Sequence, residues 1–291
     1  MSAARWLAVS NLAWPDAALE EALELLVAAG AYGVEVAPTR IAAWDQLDAG
    51  RLCAYRDRLA VHDLVPSSLQ AIFFGAADAQ LLGDVKGLEA MATHLRLVGM
   101  VGKALGVSVA VFGAPRNRNR VALGPEAAMD LAEVRLRWLA PIAAENNLVL
   151  AMEPVPSVYN SDFLQTWQEV LGLVERVGHP AVRLHLDTSC VALGGGDLAA
   201  AVEEGHSLLA HFHAAQPKLG DFAAPLVDHA LAGAALTKVG YAGWVAIEML
   251  EQKDWRKALR QAIAAVVADY GSTGGRSSIS TPTDNVSYLI A

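Results

Sequence analysis

The chain has 291 residues, awkward for two small domains but natural for one α/β barrel, which takes about 250. At 54% hydrophobic and 18% charged it can bury a large core, which excludes a disordered chain except over the Ser-, Thr- and Gly-rich stretch 271–291. A net charge of −9, with Arg116, Arg118 and Arg120 as the one dense basic cluster, argues against a nucleic-acid partner.

Short apolar runs alternate with longer amphipathic segments. Strands are predicted at 5–14, 32–38, 64–75, 107–115, 147–155, 182–190, 208–215 and 243–250. A helical segment follows each, as at 16–30, 86–106 and 124–146, where apolar residues recur at steps of three and four. Gly106, Gly178 and Gly240 stand where helices would end. Eight such units predict a closed (β/α)₈ TIM barrel over residues 1–270, with 271–291 as a C-terminal tail. An open doubly wound sheet is the alternative, but no G-x-G-x-x-G follows the first strand and no P-loop occurs. Gly194–Gly196 fits no phosphate cradle and reads as a loop leading to Asp197 as a helix cap.

Cys53 and Cys190 are too few for a disulfide framework. No basic segment followed by an apolar run marks a signal peptide, and no stretch of about 20 apolar residues suggests a membrane span. A cytoplasmic protein without membrane or nucleic-acid partners is expected, with a homodimer as one candidate assembly.

The chemistry gathers at the ends of the last four strands. Strand five ends in AMEP with Glu153, strand six in HLDT with Asp187, strand seven in HFHA with His213 and strand eight in AIEM with Glu248. The intervals are 34, 26 and 35 residues, each about one βα unit. Alternate strand residues face the barrel axis, so all four can share the C-terminal mouth, where barrel active sites lie. Three converging carboxylates repel one another unless a cation joins them. Oxygen donors with one imidazole favour Mn²⁺ or Mg²⁺, with Co²⁺ or Zn²⁺ as further candidates.

The order Glu–Asp–His–Glu resembles the xylose isomerase-like barrel superfamily over residues 5–268. SNLAW (10–14), VEVAPTR (34–40), LQAIFFG (69–75), VFGAPRNR (111–118), YNSDF (159–163) and VDHA (227–230) resemble its sugar phosphate isomerase/epimerase members. The resemblance implies a metal-dependent isomerase or epimerase acting on a carbohydrate, with Glu153 and Glu248 as the acid/base pair. Where ketose 3-epimerases carry a His three residues after the metal Asp, this chain has Cys190; where they carry an Arg six residues after the metal His, it has Leu219, with Lys218 beside it. Endonuclease IV-type nucleases need a larger His/Asp/Glu set for three zinc ions. The competing functions are a dehydratase or lyase on a keto-sugar or inosose, and a non-catalytic carbohydrate-binding barrel or partner subunit.

Further candidates surround these four, each with two readings. His185 and His211 share the inward face as partners orienting a ligand or as core histidines. Glu35 and Gln70 are substrate contacts or buried polar groups. Arg116 and Asn117 form an anion or hydroxyl clamp, or part of a solvated loop. Trp14 stacks on a sugar or plugs the rim. Asp228 caps a helix, while His229 is a candidate for substrate or proton transfer. Lys218 completes the list of substrate-binding candidates. Nothing flanking Cys190 predicts a lowered thiol pKa.

Overall fold

The computed structural model describes residues 6–271. Eight parallel strands close in chain order: β1 (Trp6–Ser10), β2 (Gly33–Val36), β3 (Val65–Leu69), β4 (Val109–Phe112), β5 (Val149–Met152), β6 (Val182–Asp187), β7 (Leu209–Ala215) and β8 (Trp244–Glu248). The seam is the β1–β8 pair, Trp6 to Val9 against Trp244 to Ile247. Helices cover the outside, so the strands are buried on both faces. That is why they read as continuous apolar runs rather than alternating ones.

The strands are shorter than the apolar runs because every run but 208–215 continues into the segment that follows its strand. The largest difference in length is at 64–75, where β3 ends at Leu69, and the difference in kind is at 182–190. Its end is not strand but a short helix, α6 (Thr188–Leu193), which Asp187 caps by accepting a hydrogen bond from the Cys190 N–H at 2.6 Å. The other helices are α1 (Leu19–Ala29), α2 (Ala49–Val61), α3 (Val85–Leu105), α4 (Pro125–Ala144), α5 (Trp167–Val177), α7 (Leu198–Gly205), α8 (His229–Lys238) and α9 (Trp255–Tyr270).

Their starts follow from the caps. Asp48, Asp84, Asp197, Asp228 and Asp254 each accept an N–H from the first turn, and Thr166 with Glu169 forms a capping box before α5. Asp197 and Asp228 thus cap helices as expected. Gly106 and Gly178 end α3 and α5 in the left-handed region, at φ 76° and 60°. No helix among the described residues is long and apolar enough to cross a membrane. The expected tail lies outside the described residues apart from Gly271.

Register decides what fills the barrel near its mouth. Ser10 pairs with Glu35, and Glu35 with Ser68, across β1, β2 and β3. On the opposite wall His185 pairs with His211 and Asp187 with His213. The axis is therefore polar at these levels, where barrels normally stack branched aliphatics. Buried polar groups require partners; Ser68, His211 and His213 find theirs in Glu35, whereas both His185 ring nitrogens and Asp187 Oδ2 have no hydrogen-bond partner.

Candidate metal centre and barrel mouth

Glu153, Asp187, His213 and Glu248 converge as the strand ends predict. One donor atom from each lies within 4.8 Å of the others. Asp187 and His213 are 1% exposed and Glu153 9%, while the Glu248 side chain is more open at 17%. His213 Nδ1 lies 3.2 Å from Glu248 Oε2 and 3.8 Å from Asp187 Oδ2. Because Asp187 Oδ1 is spent on the α6 cap, its Oδ2 is buried without a hydrogen-bond partner, as is His213 Nδ1.

Electrostatics point the same way. Burial, then the charges of Glu248 and Asp187, hold the Glu153 carboxyl well above the usual carboxylate range. Burial and Glu248 push Asp187 up to about 6. Burial alone would lower His213, but Glu35 and Glu248 outweigh it and hold the imidazole well above its ordinary value. These shifts describe a cup of acidic donors lacking positive charge. Two orphaned buried donor atoms and a set of hard oxygen donors with one imidazole fit a divalent cation.

Glu35 is fully buried beneath this cup rather than open to the mouth. It accepts from Ser68 Oγ (2.8 Å), His211 Nε2 (2.8 Å) and His213 Nε2 (3.0 Å). Of its two expected readings the geometry takes the buried pair, and those contacts hold its carboxyl well below the usual range despite burial. His185 is also fully buried, 4.0 Å from Glu153 Oε1, with its ring edge-on to His213 at 4.2 Å between centroids. Burial and the neighbouring histidines push it well below its ordinary value. Gln70 is buried and donates to Ser10 Oγ.

Two residues expected as substrate contacts are buried and hydrogen-bonded to the scaffold. Asn117 is buried, and its amide donates to the carbonyls of Ala76 (2.8 Å) and Ala79 (2.7 Å), so it staples the β3 loop. His229 is 3% exposed, stacked on Phe222. It accepts from Gln216 Nε2 at 2.6 Å, which leaves Nδ1–H to donate to the Tyr270 hydroxyl at 2.8 Å. Both of its nitrogens serve the scaffold. Arg116 and Lys218 are exposed on the loops after β4 and β7. Trp14 is buried at 2%, the plug rather than an open stacking face. Cys190 points its thiol at Glu153 Oε1 from 3.9 Å, and burial with the nearby carboxylates pushes that thiol well up.

Three residues here were not singled out individually from the sequence. Arg118 is 0% exposed and donates to the carbonyls of Phe112 (3.0 Å) and Glu153 (2.6 Å), fixing the end of β5. Gly113 lies so close to Glu153 that an added Cβ would overlap Oε2. Tyr159 accepts from the Lys218 N–H at 2.7 Å, bridging the loops after β5 and β7. The first two lie in VFGAPRNR and the third in YNSDF, so motif resemblance was their only sequence signal. Non-glycine residues with positive φ also gather in these loops: Ala71, Val121, Asn160, Leu164, Lys218 and Leu219. Such strain concentrates at functional sites.

The family model described as xylose isomerase-like TIM barrel matches residues 23–267. No curated protein matches the sequence. Among solved structures, the D-psicose 3-epimerase of Clostridium cellulolyticum H10 with D-tagatose superposes at TM-score 0.76 and 13% identity, covering 93% of this chain and 99% of that one. An L-ribulose 3-epimerase superposes at 0.75 and 18% identity, covering 99% and 98%. A protein described as AP endonuclease, family 2, from Brucella melitensis superposes at 0.73 and 20% identity, covering 91% and 99%. At these identities the likeness carries the fold, and neighbours of differing description share it.

Proposed function

The chain belongs to the xylose isomerase-like TIM barrel family, and on that premise we propose that it is a divalent-metal-dependent sugar isomerase or epimerase working through an enediolate. The observation that carries the reading is the convergence of Glu153, Asp187, His213 and Glu248 from four consecutive strands at the barrel mouth. Structural neighbours described as D-psicose and L-ribulose 3-epimerases support it. The net charge of −9 favours it over a nuclease.

Glu153, Asp187, His213 and Glu248 would hold the ion. When bound, it supplies Lewis-acid polarisation of the substrate carbonyl. Glu153 and Glu248 reach the mouth from β5 and β8, so they meet a bound substrate from different walls. One carboxylate removes the proton beside the carbonyl. The other, entering as the protonated acid, donates its own proton at the neighbouring carbon, which isomerises, or on the opposite face, which epimerises, and ends ionised while the first ends protonated. Arg118 and Gly113 keep Glu153 in place, and Tyr159 fixes the β7 loop that borders the site. Cys190 and Leu219 replace the His and Arg of the ketose 3-epimerase pattern, so the substrate is held differently from a free ketose in those enzymes. Exposed Lys218 and Arg116 are the candidate outer contacts.

The test is incubation of Mn²⁺- or Mg²⁺-loaded protein with ketoses, aldoses and their phosphates in D₂O, read by NMR. Deuterium entering one carbon beside the carbonyl, with a new isomer or epimer, supports the reading; the His213→Ala variant should lose it. Loss of water from the substrate would replace isomerisation by elimination. Failure of the wild type to bind either ion would end the metal reading.

A further inference from the structure

We infer that Glu35, on the far wall of the barrel from the four donors, is the positioning residue that turns the Nδ1 lone pair of His213 toward the carboxylate cup. This rests on the metal-centre reading but concerns a residue outside the donor set.

An imidazole binds a metal ion only in its neutral form, with one N–H and one lone pair, so the second proton that Glu35 and Glu248 favour on the free His213 ring leaves as the ion enters, and the partner of one nitrogen fixes which nitrogen keeps its proton. His213 Nε2 is 3.0 Å from Glu35 Oε1, to which it donates, and 2.9 Å from Oε2. An ionised carboxylate can only accept, so Nε2 must carry the proton. In the neutral ring the lone pair is then on Nδ1, which is buried without a hydrogen-bond partner and faces Glu248 Oε2 and Asp187 Oδ2. With the other tautomer, the N–H would point into the cup and no lone pair would be offered there.

Glu35 is itself held firmly. It is 0% exposed, and Ser68 Oγ and His211 Nε2 donate to it at 2.8 Å each. Glu35, His211 and His213 could also be grouped as a metal-binding triad. Their contacts of 2.8 to 3.0 Å are direct N–H to carboxylate bonds, all on Glu35 Oε1, so both imidazole Nε2 atoms are already engaged. The carboxylate therefore works through His213. Ser68 and His211 work through the carboxylate, and a chain of contacts runs from β3 and β2 across the axis to β7.

The experiment is a Mn²⁺ titration, followed by electron paramagnetic resonance, of wild type, Glu35→Gln, Glu35→Leu and Ser68→Ala. Gln keeps one acceptor and Leu keeps none. Affinity should fall about tenfold for Gln and about 100-fold for Leu, with a smaller loss for Ser68→Ala, the range seen when the group behind a metal-binding histidine is removed. A purely packing role predicts no such order. Variants that bind Mn²⁺ as tightly as wild type would overturn the inference and leave the metal centre standing. A wild type that binds none would overturn both. Where Glu35→Leu fails to fold, the imidazole ¹⁵N spectrum of Mg²⁺-loaded wild type decides: a proton on His213 Nε2 supports the assignment, and one on Nδ1 overturns it.

Discussion

Replacing Arg118 by Met should harm the site more than the fold, and opposing magnitudes show why. The guanidinium is fully buried and donates to the carbonyls of Phe112 and Glu153 at 3.0 and 2.6 Å. Hydrogen bonds from a charged donor contribute about 1.5–3 kcal/mol each, so losing two costs about 3–6 kcal/mol. Against this, burial lowers the Arg118 pKa from 12.5 to about 10, a penalty of roughly 3 kcal/mol on the charged form that Met does not carry. Met also fills most of the volume occupied by the arginine stem, which limits any cavity. The net loss is about 0–3 kcal/mol, or up to roughly 12 °C in Tm. The Glu153 carbonyl, however, loses its anchor, and the carboxylate it positions moves with the backbone. Mn²⁺ affinity should fall at least about tenfold, as for other groups that support metal ligands. Calorimetric unfolding of the metal-free protein and Mn²⁺ titration measure the two effects separately. Arg118→Met with wild-type metal affinity would refute this reasoning, whatever its Tm.

Gly113→Ala should weaken metal binding by a factor of about ten or more, because the new methyl group occupies the position of Glu153 Oε2; an unchanged Mn²⁺ titration would show that the carboxylate has another place to go. His229 gives a pH signature. Burial holds its folded pKa at about 4, below the ordinary 6.5, so the unfolded chain binds the proton first. Its contribution is complete above pH 6.5 and is lost as pH falls through 4, roughly 3 kcal/mol in all. Thermal melts at pH 7 and pH 4.5 should differ less for His229→Asn than for wild type, and equal differences would count against it. Lys218 sits at φ 61° and ψ 26°, a left-handed conformation that glycine adopts without strain. Lys218→Gly should therefore raise stability by up to about 1 kcal/mol while reducing turnover, and a variant with full activity would remove Lys218 from the substrate contacts.

The sequence by itself determined the barrel and the convergence of four strand-end side chains. Both are local signals: apolar runs alternating with helical periodicity give the βα count, and Glu153, Asp187, His213 and Glu248 each sit at a strand's end. A side chain there must face either the axis or the helices, and an ionised group in an apolar strand has few alternatives to a shared site. The helix caps were equally local, as Asp197 and Asp228 illustrate. What surrounds the donors was decided by tertiary structure alone. Asn117 and His229 have the chemistry of substrate contacts, but the Asn117 Nδ2 and both His229 ring nitrogens are taken up by hydrogen bonds to the scaffold. Glu35 and His213 are 178 residues apart in the chain. No spacing along the sequence announces their contact, because it exists only after the barrel closes and brings β2 opposite β7. Arg118 likewise looks like one basic residue among three until its burial under the Glu153 carbonyl is seen. Donor identity is a property of residue type and strand position; donor orientation depends on hydrogen bonds across the axis, which only closure of the barrel creates.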